Sequence, residues 1–299
     1  MFKEYKQFLV DANIPYVENE PMSRHTSFRI GGNSTLFVTP ADAASLREAC
    51  LFAKEAGVKT YILGRGSNLL FPDEGFSGAV ISTERLNEVS LDGDTLIAGS
   101  GVSFTQLSVV AKDAALSGME FAYGIPGSVG GAVYMNAGAY GGEVCQCLTS
   151  SCCYDLKTDR ILYFDGPGHG FGYRTSIYKK NPHMIILSAE FRLENGIKED
   201  IKAKMDDFMY RRRDKQPLEY PSAGSVFKRP EGFFAGKLIE DSNLKGFSVG
   251  GAAVSEKHAG FIINKGGATC SDVKALIEHI QNTVFSNFGV LLECEVIFV

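Results

Sequence analysis

Apolar positions along the chain alternate between a helical period and a strand period. Leu46, Ala49, Cys50 and Ala53 recur at helical spacing. Thr39-Pro40-Ala41-Asp42 opens that helix, with Thr39 as cap, Pro40 in the first turn and Asp42 favouring the dipole; Gly57 closes it. Val58–Leu63 reads as a short buried strand leading into Gly64-Arg65-Gly66-Ser67-Asn68. Glu88–Leu91 and Thr95–Ala98 flank Asp92-Gly93, a hairpin signal. Ser103-x-x-Gln106 reads as a capping box for a helix that buries Phe104, Leu107, Val110, Ala111 and Ala114 and stops at Gly118. Strands are expected at 146–156, 160–164 and 184–193. From Gly196 the pattern turns helical again, with Ile197, Ile201, Met205 and Phe208 on one face. A late helix from Ser271 to Gly289 buries Val273, Leu276, Ile277, Ile280 and Val284, and Val290–Val299 reads as a closing strand. Helices and strands mix without a regular strand–helix–strand repeat, so the fold class is α+β. A boundary near 194–198 divides the chain into residues 1–195 and 196–299.

Composition narrows the function. The chain has 299 residues, 44% apolar and 22% charged, which excludes disordered and collagen-like readings. With 30 basic and 35 acidic residues the net charge is −5, so no nucleic-acid partner is expected and an anionic ligand must meet a local basic cluster. No apolar run reaches the ~18 residues of a membrane span. The first residues carry neither an apolar core nor a small-residue cleavage site, so a cytoplasmic location is expected. Four of the seven cysteines, Cys145, Cys147, Cys152 and Cys153, crowd together without metal-ligand spacing. They read as small hydrophobes in a reducing compartment, and no metal site is assigned.

Glycine is abundant, at 33 residues. Gly64-Arg65-Gly66-Ser67-Asn68 suits a backbone phosphate cradle, but it lacks the Walker lysine and the third Rossmann glycine. By itself it reads more readily as a tight turn. Gly124 to Gly142 holds seven glycines, almost no charge, and Ile125, Val129, Val133, Tyr134 and Met135 between them. A linker would be polar; this composition suits backbone pressed against a large flat ligand.

Seven segments occur in order: HTSFRIGG (25–32), GRGSNLL (64–70), GIPGSVGGAVYMNAGAYGGE (124–143), FGYRTS (171–176), PSAGSVFKRP (221–230), NKGGA (264–268) and LECEV (292–296). Together they closely resemble the UDP-N-acetylenolpyruvoylglucosamine reductase family, flavoenzymes that complete UDP-N-acetylmuramate in bacterial peptidoglycan synthesis. The resemblance implies a flavin fold of the vanillyl-alcohol-oxidase type in residues 1–195, in two sub-lobes split near residue 85. It implies a substrate domain in 196–299, non-covalent FAD, NADPH as reductant, and UDP-N-acetylglucosamine enolpyruvate as substrate. A monomer or weak dimer is expected.

The resemblance also assigns roles. Arg174 faces the substrate carboxylate, Ser225 delivers a proton, and Glu295, rather than Glu293, assists as an acid. Strand periodicity would put Glu293 and Glu295 on one face with Leu291, Ile297 and Val299. FAD contacts are expected from Arg29, Gly64, Gly66, Ser67, Asn68, Gly124, Gly127, Ser128 and Gly131, and substrate contacts from Tyr173, Lys228 and Lys237. Arg65, Thr175 and Ile297 depart from the family pattern. No insertion follows Ser176 to carry the tyrosine lid of longer relatives, so the chain resembles the short subtype. Two rival readings are an oxidase holding flavin covalently, with His25 as the nearest histidine, and a nucleotide-sugar regulator without catalysis.

Overall fold

The computed structural model describes residues 1–299, and the chain forms two compact units. The first comprises Met1–Glu18, Leu36–Arg65 and Gly78–Arg211; the second comprises Asn19–Thr35, Gly66–Ser77 and Arg212–Val299. Where the sequence suggests one break near 194–198, the chain crosses several times. Apolar side chains decide this: Phe28, Ile30 and Leu70 are buried in the core built mainly by residues 223–296. Phe208 joins the core of the first unit, so the last crossing falls inside the helix Lys198–Lys215 rather than before it.

The first unit has two cores. One gathers helix α1 (Phe2–Asp11) and helix α2 (Ala43–Glu55) through Tyr5, Leu9, Leu46, Ala49, Cys50 and Ala53. The buried face of α2 is the expected one, but Asp42 rather than Thr39 caps it, accepting from Ser45 N at 2.8 Å. Asp42 wins because a carboxylate one residue before the helix reaches the exposed N–H groups and also favours the dipole. The other core lies on a five-stranded antiparallel sheet, in the order Arg160–Asp165, Leu148–Asp155, Met184–Arg192, Thr95–Gly99, Val89–Asp92. The Asp92-Gly93 hairpin forms as expected, with Asp92 opposite Thr95 and Gly93 at φ +59°. Helix α3 (Phe104–Asp113) starts on Ser103 as expected but ends well before Gly118. Ala115 turns left-handed there, and Leu116–Ser117 pairs with Glu194–Asn195.

Helix α4 (Val129–Met135) follows the second glycine-rich loop, and helix α5 (Ile177–Lys180) follows the FGYRTS segment. Helix α6 (Lys198–Lys215) buries Ile201, Met205 and Phe208, whereas Ile197 is exposed, one residue before the helix.

In the second unit a four-stranded antiparallel sheet runs Ser222–Ser225, Phe261–Asn264, Ala252–Val254, Ser248–Val249. Helix α7 (Ala235–Asp241) and helix α8 (Cys270–Phe288) contribute Leu238, Ile239, Val273, Leu276, Ile277, Ile280 and Val284 to its core. Both oxygens of Asp73 serve the start of α8, from Cys270 N at 2.6 Å and Ser271 N at 2.9 Å. The closing strand shrinks to Ile297–Phe298, parallel to Leu69–Leu70, with a single bridge from Cys294 to Phe227 before it. Alternation survives: Leu292 and Val296 are buried and Glu293 is exposed.

Candidate active site

The seven motifs converge within each unit. In the second unit, Asn264 of NKGGA donates to Phe28 O at 3.1 Å, and its Oδ1 accepts from Gly266 N (2.9 Å) and Ala268 N (3.2 Å). Ser27 donates to Ser222 O at 2.7 Å, tying HTSFRIGG to PSAGS. The Asn68 amide donates to Glu295 O at 3.1 Å, and Glu295 N donates to Val226 O at 2.7 Å. The residue after Ser225 is thus bonded to the backbone of Glu295. Gly224 sits at φ +76° with open space where a Cβ would stand, so backbone conformation alone calls for glycine. Gly224 lies within the register shift between Ser222 and Ser225, and Ser225 is half-buried.

Arg29 is exposed at φ +54°, between buried Phe28 and buried Ile30. A non-glycine residue pays on the order of 1 kcal/mol there, and the two anchors, each worth about 1.5–3 kcal/mol when buried, hold it. Gly66 is at φ +60°, with the His25 carbonyl where a Cβ would stand. Ser67 is half-buried beside it. His25 Nε2 lies 2.9 Å from Glu20 Oε1.

Lys228 and Lys237, expected at the substrate, each meet a carboxylate. Lys228 Nζ lies 2.8 Å from Glu293 Oε2, and that bond holds the Glu293 carboxyl below its usual range. Lys237 Nζ lies 2.5 Å from Asp241 Oδ1, one turn along α7.

In the first unit the two glycine-rich loops meet: a Cβ on Gly64 would overlap the Ser128 hydroxyl. Ser128 is buried and caps α4, its Oγ accepting from Gly131 N at 3.2 Å. Gly124, at φ +85°, donates to Thr105 Oγ1 at 3.1 Å, and Gly127 O accepts from Phe104 N at 2.9 Å. Gly131 is exposed on the first turn of α4.

Helix α4 also positions Arg174. Gly172 and Thr175 bond each other across a two-residue turn, at 3.2 and 3.3 Å, with Tyr173 and Arg174 at its tip. Arg174 adopts φ +54°, donates to Gly138 O at 3.3 Å, and stacks its guanidinium over Tyr173 at 5.2 Å. Asn136, the left-handed C-cap of α4, pins one flank: its Nδ2 donates to Gly172 O (3.2 Å) and Glu143 Oε2 (2.9 Å), and its Oδ1 accepts from Cys145 N (3.0 Å). Ser176 Oγ pins the other by donating to Tyr134 O at 2.8 Å. Lys179 donates to Arg174 O at 3.1 Å. Sequence reasoning did not single out Asn136, Ser176 or Lys179. The available signal was a polar Asn136 inside an otherwise apolar glycine-rich run.

Of the crowded cysteines, burial pushes the Cys147 thiol up to about 12 and the Cys153 thiol up to about 11, as befits unreactive core side chains.

Residues 34–155 match the FAD binding domain family, and residues 216–299 match the UDP-N-acetylenolpyruvoylglucosamine reductase C-terminal domain. The UDP-N-acetylenolpyruvoylglucosamine reductase of Clostridium botulinum (strain Hall) is 47% identical over 298 residues, covering 98% of this chain and 97% of its own. That of Clostridium perfringens (strain SM101) is 50% identical over 278 residues, covering 93% and 91%. The crystal structure of UDP-N-acetylenolpyruvylglucosamine reductase from Thermus caldophilus superposes with a TM-score of 0.81 at 33% identity, covering 95% of this chain and 98% of that one. No helix is long and apolar enough to cross a membrane. With near-complete coverage in sequence and in fold, the chain belongs to the UDP-N-acetylenolpyruvoylglucosamine reductase family.

Proposed function

We propose that this chain uses NADPH to reduce the enolpyruvyl group of UDP-N-acetylglucosamine enolpyruvate, giving UDP-N-acetylmuramate for peptidoglycan precursors. FAD, when bound, supplies hydride transfer between the two. The residues present fit that group: uncharged glycine backbone meets a serine hydroxyl at Gly64 and Ser128, with no room for a side chain between them. Gly66, Ser67, Asn68, Gly124, Gly127 and Gly131 would complete the backbone and hydroxyl contacts, and Arg29 would add positive charge.

Hydride addition to the distal enol carbon leaves negative charge on the α carbon, delocalised into the carboxylate. Arg174 answers that charge. Its guanidinium is permanently charged and forks onto a carboxylate through two hydrogen bonds. Ser225 delivers the proton to the α carbon, and Glu295 assists as an acid. Lys228 and Lys237 meet the diphosphate by exchanging Glu293 and Asp241; exposed pairs of that kind contribute little and break readily. Tyr173 lies at the substrate beside Arg174. We place the enzyme in the cytoplasm, as a monomer or weak dimer.

The observation that carries this reading is the Arg174 turn. A strained, non-glycine residue is held from both flanks by partly buried bonds to α4 and its C-cap, which is the strain a fold sustains to aim one side chain. Ser225→Ala in the flavin-loaded enzyme tests the reaction by stopped flow. Bleaching of the yellow absorbance by NADPH is expected at near wild-type rate. Its return on adding UDP-N-acetylglucosamine enolpyruvate should slow by about 10²–10⁴-fold. Return at the wild-type rate would exclude Ser225 as the donor.

A further inference from the structure

The Gly170–Ser176 loop, with Arg174 near its tip, is rooted at both ends on one buried hydroxyl. Ser151 stands on the Leu148–Asp155 strand, opposite Ala189 on one side and Phe164 on the other. Its Oγ lies 2.7 Å from His169 Nε2 and 2.6 Å from Tyr178 OH. His169 immediately precedes the loop; Tyr178 follows it on α5. Ser151 is 1% exposed, and His169 and Tyr178 are 0% exposed.

The protons in this group follow from bonding rules. His169 Nδ1 lies 3.1 Å from Gly166 O, which can only accept, so Nδ1 carries a hydrogen. Burial lowers the His169 pKa and keeps the ring neutral, which makes Nε2 an acceptor. Ser151 therefore donates to His169, and Tyr178 donates to Ser151. The chain of donation runs one way, from Tyr178 through Ser151 and His169 to the Gly166 carbonyl. Phe171 stacks on His169 at 5.0 Å and Phe164 meets Tyr178 edge-on at 5.8 Å, so the rings are fixed as well.

We propose that Ser151 is a positioning residue for the reduction: its hydroxyl clasps both roots of the 170–176 loop and thereby fixes Arg174. This rests on the reading of Arg174 given above. The left-handed conformation of Arg174 persists only where the surroundings over-determine it. Asn136 and Tyr134 hold the flanks of the turn, and Ser151 holds the two points from which it departs. None of the three clasp side chains has solvent access, so the clasp acts through the loop rather than on substrate. Removing the hydroxyl leaves Nε2 of His169 unpaired in a dry interior and takes away the oxygen partner of the Tyr178 hydroxyl, leaving it the weaker Cys153 thiol, and the roots must open to satisfy them.

The test uses the flavin-loaded enzyme with Ser151→Ala, and with Tyr178→Phe, which deletes one oxygen and keeps the ring packing. Hydrogen exchange of the 170–176 amides without substrate should quicken about tenfold or more in both variants. Bleaching by NADPH should stay within about twofold of wild type. The substrate-dependent return of colour should slow by about 10–100-fold, and Ser151→Thr, which keeps the hydroxyl, should recover most of it. In an Arg174→Ala background, adding Ser151→Ala should change the second step by less than about twofold, because both variants act through one guanidinium. Unchanged loop exchange in both variants, equal slowing of both steps, or losses that multiply in the double variant would overturn the proposal. If Arg174→Ala alone reoxidises like wild type, the reading of Arg174 is what fails. The functional half of the proposal falls with it, and the exchange data still decide the clasp.

Discussion

Asn136→Asp replaces one amide nitrogen by oxygen, and its effect can be worked out from three bonds. Both hydrogens of Asn136 Nδ2 are committed, to Glu143 Oε2 at 2.9 Å and Gly172 O at 3.2 Å, while Oδ1 accepts from Cys145 N at 3.0 Å. The amide orientation is thus dictated, because a flip would set oxygen against two acceptors. In the variant a carboxylate would face the Glu143 carboxylate at 2.9 Å, a repulsion of about 6 kcal/mol at an effective dielectric of ~20. The new carboxyl escapes by taking a proton. At pH 7, starting from a free pKa of ~3.9, protonation costs about 4 kcal/mol. The resulting hydroxyl can serve only one of two acceptors, so about 1 kcal/mol more is lost. The variant should therefore be about 5 kcal/mol less stable than wild type at pH 7 and about 2.5 kcal/mol less stable at pH 5.

The sign is fixed by the direction of the shift. The folded pKa of the new carboxyl is raised above its unfolded value, so the folded state binds the proton more tightly. Stability relative to wild type returns as pH falls towards the unfolded value of ~3.9, and declines as pH rises. Urea unfolding of both proteins across this range measures it. A difference that does not change with pH, or one below about 1 kcal/mol at pH 7, would refute the assignment of these three bonds.

Further outcomes follow from the second unit. Asp73→Ala should destabilise the protein by about 1 kcal/mol by baring the first N–H groups of α8. Burial raises the Asp73 pKa, but hydrogen bonds from Ser271 and Cys270 outweigh it and hold the carboxyl low. The contribution is therefore complete above the unfolded value of ~3.9 and lost as pH falls through the depressed folded one, and urea midpoints across that range would show it. Lys237→Ala removes an exposed pair on α7 and should leave the urea midpoint unchanged. If Lys237 meets the diphosphate, KM for the UDP substrate should rise about tenfold with kcat held, and an unchanged KM would remove it from the site.

How much was legible in the sequence depended on the range of the cause. The buried face of α2 and the Asp92-Gly93 hairpin depend on neighbours within one element, and periodicity and turn chemistry found both. The crossing of the chain between units has no local signal. It depends on a two-residue parallel pairing of Ile297–Phe298 with Leu69–Leu70 and on the Asn264 bond to Phe28, 236 positions away. The closing strand misled because alternation in 292–296 is real, yet only the bridge at Cys294 and the pairing at Ile297–Phe298 are made. At the candidate site the motif residues were legible because glycine marks unusual backbone. Asn136, Ser176 and Ser151 were not, because a buried polar residue looks in sequence like any other until its partners are known.

The left-handed non-glycine residues carry a further message. A chain with 33 glycines readily uses glycine where φ must be positive, yet Arg29, Asn136 and Arg174 all hold such angles within motif segments. At Asn136 the side chain makes three bonds that glycine could not. At Arg174 the side chain donates to Gly138 O at 3.3 Å and stacks on Tyr173, contacts that a residue in the ordinary right-handed or extended regions could also make without the strain. The function proposed for this chain gives the arginine a reason to be there, and that role is separable from any role in the fold. Two truncations separate those roles. Arg174→Ala and Arg174→Gly lose the same guanidinium, but only glycine relaxes at φ +54°. The glycine variant should be more stable than the alanine variant by about 1 kcal/mol, with no difference between them in the substrate-dependent step, where both should lose about 10²–10³-fold. Equal stability would mean that residue 174 is not held left-handed. A faster substrate step in either variant than this loss allows would mean that its charge is not what the enolate meets.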